Sequence, residues 1–137
     1  MSIATAYFRT SLLAILFMTF HYTDDVLRKS SGTDKPGFVA LIPVLILVIW
    51  LYGILLLPER RAGYIIGLLG SLMASFIAFG HLTGITGDFF IGEIAEATGA
   101  FFVWAVIGLG VTAFSSLIFS AYGLFFPGKE KPAARGR

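Results

Sequence analysis

His21 and His81 are the chain's two histidines. Each closes an apolar run, and acids follow both: Asp24 and Asp25 after His21, then Asp88, Glu93 and Glu96 after His81. Imidazoles with carboxylates form the ligand set of zinc, manganese and non-haem iron sites. The candidate metal ligands are therefore His21, Asp24, Asp25, His81, Asp88, Glu93 and Glu96, and the cofactor they would take is a divalent metal ion or iron. On a helix that continues past His21, Asp24 and Asp25 fall on its face, three and four positions on. His81 and Asp88 would lie two turns apart on a continuing helix, but Gly84 and Gly87 argue against such continuity. Glu93 and Glu96 are spaced for one face at the start of the last helix. The doubled Glu-x-x-His of di-iron bundles is missing, since the pairs here read His-x-x-Asp and Glu-x-x-Glu.

Two other readings compete for the same residues. In the plainer one, which carries more weight, the histidines and Tyr22 anchor helix ends at the headgroups. The acids are then solvated loop charges that also complement the dipole of the last helix. In the other, a haem b sits between His21 and His81, one imidazole from each of two helices. Rows of small residues on the third helix oppose the haem, because they imply close backbone contact rather than a gap of porphyrin size. Catalysis by a nucleophile has less support still. The chain has no cysteine, which removes disulfides, thiolate metal ligation and thiol redox chemistry. Ser71, Ser75, Ser115 and Ser116 lie deep in apolar runs with no histidine at their level, so they read as helix glue and not as part of a Ser-His pair. The chain is expected not to be an enzyme.

The elements that must position these residues follow from composition. Of the 137 residues, 57% are hydrophobic and 13% charged, on the membrane side of ordinary globular usage. The formal charge of +2 includes no dense basic cluster within a folded segment, which argues against a nucleic-acid partner. Arg9 precedes an apolar run from Ser11 to Phe20, as in a secretory signal. The residues that follow, His21 to Asp25, offer no small pair for cleavage, so the run is expected to stay as the first helix.

A spanning helix needs about 20 mainly apolar residues, and the charged residues cut the chain into four such pieces. The expected helices run from about Ile3 to Thr23, Phe38 to Leu57, Gly63 to Thr83 and Ala97 to Phe126. Pro43 lies near the start of the second, and Pro58 stops it. Its Trp50 and Tyr52 are away from the ends where membrane aromatics usually gather. The last stretch is long enough that it must tilt, kink near Gly108 and Gly110, or begin outside the hydrocarbon. The domain is expected to cover Met1 to Pro127, with Gly128 to Arg137 as a disordered basic tail near anionic lipid.

Arg9, Arg60, Arg61, Lys129, Lys131, Arg135 and Arg137 fall on one side of these helices, and Arg28, Lys29 and Lys35 on the other. That bias predicts both termini in the cytoplasm. The expectation is an all-α integral membrane protein, a four-transmembrane-helix up-and-down bundle, multi-pass in the cell (plasma or inner) membrane.

Small residues recur at spacing four on the third helix (Gly67, Ser71, Ser75; Gly70, Ala74, Ala78) and on the fourth (Gly108, Thr112, Ser116, Ser120). Such rows drive packing in lipid. They place the third and fourth helices at the centre, the first against them and the bulky second outermost. No charged side chain lies near a midplane, which weakens an ion-coupled transporter. Nor does a repeat support an inverted two-helix duplication. The expected function is a structural or accessory subunit, with the lipid bilayer and either copies of itself or a larger membrane complex as partners. The alternatives are a metal- or haem-binding protein with its site at the outer surface, and a small oligomeric transporter or channel.

Overall fold

A computed structural model describes residues 2–30, 41–85 and 100–126 of the protein. Within them lie α1 (Ile3–Ser30), α2 (Leu41–Leu56), α3 (Arg61–Thr83) and α4 (Ala100–Phe125), and no strand. Three of these helices are long and apolar enough to cross a membrane: α1 over Ile3–Leu27, α3 and α4. The second helix has 16 described residues, about 24 Å at a rise of ~1.5 Å per residue. The expected ends at Phe38, Ala97 and Pro127 lie outside the described residues, as does the tail.

Local chemistry explains the observed boundaries. Ser2 caps α1, its hydroxyl accepting from the Thr5 N–H at 3.1 Å. The expectation that α1 stops at Thr23 is corrected: the helix runs two turns further, to Ser30. Asp24 and Asp25 do not end it, because a carboxylate inside a helix costs only a few tenths of a kcal/mol in propensity and breaks no backbone bond. Pro43 sits in the first turn of α2, where an N–H has no helical acceptor to lose. Between α2 and α3 the chain turns at Pro58 and Glu59. There the Arg60 N–H reaches the Leu57 carbonyl at 3.2 Å, and Glu59 takes a left-handed φ of 63°. Gly84 ends α3 as a left-handed cap, φ 69°, its N–H on the Gly80 carbonyl.

The helices form a bundle in which α4 packs along the length of both α1 and α3, while α1 and α3 meet only slightly across the diagonal. The second helix rests mainly on α3 and less on α1, and makes no contact with α4 among the described residues. Close approach explains the glycines at these seams. A Cβ on Gly67 would strike the Tyr7 ring, one on Gly108 the Phe17 ring, and one on Gly70 the Trp50 indole. Small residues thus lie where large ones cross, as the spacing predicts, although the centre is α4 between two partners rather than an equal pair of α3 and α4.

Candidate functional site

Polar side chains enter the bundle at three levels, the first between α1 and α3 and the other two along the seams of α4. At the α1 N-terminal end, the Tyr7 hydroxyl donates to the Gly63 carbonyl at 2.8 Å, and the Tyr7 and Tyr64 ring centroids are 4.8 Å apart. In the middle, Ser116 of α4 lies 2.6 Å from the Ser11 hydroxyl of α1 and 2.7 Å from the Ser71 hydroxyl of α3. A hydroxyl has one proton, and Ser71 gives its proton to the Gly67 carbonyl at 2.5 Å. The chain therefore has a direction: Ser11 donates to Ser116, and Ser116 donates to Ser71. All three serines are fully buried. This node ties three helices together through neutral hydrogen bonds, each worth about 1 kcal/mol net.

At the other end of the same seams, His21 of α1 and His81 of α3 meet edge to face, with centroids 4.8 Å apart. Phe102 of α4 touches both rings, at 5.6 Å from His21 and 5.5 Å from His81. The imidazoles are buried, 4% and 8% exposed. Histidines far apart in sequence are thus brought together where α1 and α3 both pack on Phe102 of α4. The serine node stands about 15 Å of helix rise away from them, so hydroxyl and imidazole do not cooperate here.

Of the other candidate ligands, Asp24 and Asp25 lie on the continuing α1, half-buried and one turn beyond His21. Asp88, Glu93 and Glu96 lie outside the described residues. Among the described residues no three His, Asp or Glu side chains stand together as an ion-holding group. A porphyrin does not fit between the imidazoles. Axial iron–nitrogen bonds of about 2 Å on opposite faces of a haem would hold the ring centroids about 6 Å apart, whereas these rings touch.

One feature escaped the sequence reading. Ser11-Leu12-x-Ala14, then His21-x-Thr23, on α1 has the same order and spacing as Ser71-Leu72-x-Ala74, then His81-x-Thr83, on α3. The matching residues do matching things. Both serines bond Ser116, both histidines pack on Phe102, and both threonines bond the carbonyl four residues back, Thr23 to Thr19 and Thr83 to Phe79. Two parallel helices therefore present one series of residues to α4 from opposite sides. The correspondence is parallel, about an axis along the bundle, and not inverted. Five shared positions at fixed spacing were the available signal. No family model, characterised protein or solved structure matches this chain.

Proposed function

We propose that this is a multi-pass membrane protein with both termini in the cytoplasm, and that it acts as a structural or accessory subunit, packed against copies of itself or within a larger membrane complex. One observation carries the membrane reading: the bundle is apolar outside and partly polar inside. Leu45, Leu69, Phe76, Val111 and Phe114 are among the exposed side chains, while Ser11, Ser71, Ser116 and Ser120 are fully buried. In water such a surface would aggregate; in lipid it meets its own solvent. Phe101 and Trp104, exposed at the histidine end and in contact with Phe17 and Phe20, suit the aromatic belt at a membrane surface.

The accessory role is supported by what fills the interior. The charged side chains of the described residues gather toward the helix ends, and the three serines of the central node bond one another, so among the described residues there is no ion-coupling acid at mid-depth and no open polar path. A channel would need several protomers, which gives that reading less support.

Two measurements test the proposal. The chain has no cysteine, so single cysteines at Glu59 and Thr83 report sidedness directly. Glu59→Cys should react with an impermeant maleimide only from the cytoplasmic face and Thr83→Cys only from the opposite face; the reverse pattern would overturn the orientation. Protein extracted in mild detergent should run well above the 14.8 kDa protomer after correction for bound detergent. A lone monomer at native membrane concentration would overturn the subunit role.

A further inference from the structure

We infer that the corner where α1 begins beside the α2–α3 turn is a binding site for the headgroup of a primary-amine phospholipid, phosphatidylethanolamine being the representative. This rests on the membrane reading above, which puts that corner at the lipid surface. A pocket of about 210 Å³ lies there, lined by Ala4, Thr5, Tyr7, Phe8, Pro58 and Glu59. At the volume each molecule takes in the liquid, it has room for about seven waters, the scale of a headgroup and not of a whole lipid.

The polar groups of the pocket select the ligand. The Thr5 hydroxyl lies 2.9 Å from the Ser2 hydroxyl, and the Tyr7 hydroxyl donates to the Gly63 carbonyl. The Glu59 carboxylate is left, and among the described residues it is the one carboxylate at this end of the bundle. It makes no ion pair with Arg60 or Arg61, the two exposed residues that follow it. Glu59 also holds a left-handed φ of 63°, a conformation that glycine would adopt without strain. Backbone strain of this kind gathers where a side chain serves a ligand or a reaction.

A carboxylate only accepts, so its ligand must donate. A primary ammonium carries three N–H donors. A quaternary ammonium carries none and is held by aromatic cages instead, and here the aromatic wall is no more than Tyr7 and Phe8. The phosphate of the same headgroup, an ethylene arm away from the amine, falls to the Arg60 and Arg61 guanidiniums. Successive Cα atoms stand about 3.8 Å apart, which sets both within reach, and guanidinium binds phosphate oxygens through charge-assisted hydrogen bonds. The acyl chains continue over Leu55 and Leu56, exposed at the end of α2 just before the turn.

The test is native mass spectrometry of the full chain in mild detergent, titrated with phosphatidylethanolamine or phosphatidylcholine carrying the same acyl chains. The ethanolamine lipid should bind about threefold more tightly, the selectivity that one exposed ion pair supports. Glu59→Gln should bring the two lipids level, and Glu59→Gly should do the same while relieving the backbone. Arg60→Gln/Arg61→Gln should weaken both lipids alike. Free phosphoethanolamine at matched concentration should displace neither, because the chains supply part of the affinity. Equal binding of the two lipids by the native protein, the result expected if Glu59 serves a lysine of a neighbouring protein, would overturn the inference. So would an ethanolamine preference that survives in both Glu59 variants, or displacement by free phosphoethanolamine. Those results leave the membrane reading standing, whereas a chain that binds neither lipid overturns both.

Discussion

Two helices of this bundle have nearly the same composition class and opposite fates. Both α2 and α4 are free of charge and rich in Leu, Ile, Val and aromatic residues. The fourth helix turns Ala105, Leu109, Ala113, Ser116 and Ser120 toward its neighbours and packs against both α1 and α3. The second helix buries only Trp50, Gly53 and Ile54, and its indole N–H is buried with no acceptor among the described residues, a cost of about 1–3 kcal/mol. A groove of about 260 Å³ remains between α2 and α3, lined by Ile46, Ile49, Trp50, Ile66, Leu69 and Met73. Hydrophobicity does not separate these helices. Small residues at regular spacing do, because where the surroundings are as apolar as the side chains, only close approach and hydrogen bonding distinguish a neighbour from solvent.

That contrast can be broken at its strongest point. Ser116→Leu adds volume where three helices meet and leaves the Ser11 and Ser71 hydroxyls without their shared partner. It should lower stability by about 3 kcal/mol or more, read by unfolding in bicelles with increasing dodecyl sulfate. A loss under about 1 kcal/mol would mean that the α4 seams are not the core. Gly70→Leu strikes the corresponding seam of α2, but the obstacle is one indole beside a groove that can receive it. A loss of about 1 kcal/mol is expected, with the α1, α3 and α4 contacts retained. If it equals the Ser116→Leu loss, α2 is as integral as α4 and the contrast fails. At the small end, Leu45→Ala on α2 and Val111→Ala on α4 both alter exposed positions and should each change stability by less than about 0.5 kcal/mol. A large effect at either would reveal a face covered by another chain, and would sharpen the search for the interface of the proposed subunit.

Much of the bundle was legible because its two signals are strong ones: apolar length between charges and small residues at spacing four. Gly67, Ser71, Gly70 and Ala74 were readable as seam residues, and they are seam residues. The end of α1 was misread because charge was used as a membrane boundary, and a helix does not end where its hydrocarbon does. Asp24 and Asp25 lie within a helix that continues to Ser30. The pairing of His21 with His81 was half legible. Their common end of the bundle followed from topology, but their contact needed the parallel register of α1 and α3, which only the packing on α4 establishes. The shared series went unseen because its buried members, Ser, Ala and His, are interleaved with residues such as Leu16 and Phe76 that face outward and need share only apolar character.

The arrangement of α1 and α4 with α2 held apart is the claim on which the rest depends, and disulfide trapping tests it most directly in a chain with no cysteine of its own. The Ser11 and Ser116 hydroxyl oxygens lie 2.6 Å apart, near the reach of a sulfur–sulfur bond of about 2 Å. Ser11→Cys/Ser116→Cys should therefore close within one chain when oxidised in native membranes. Trp50→Cys/Ser116→Cys, which joins helices that do not touch, should stay open. Closure of the second pair without the first would contradict the account.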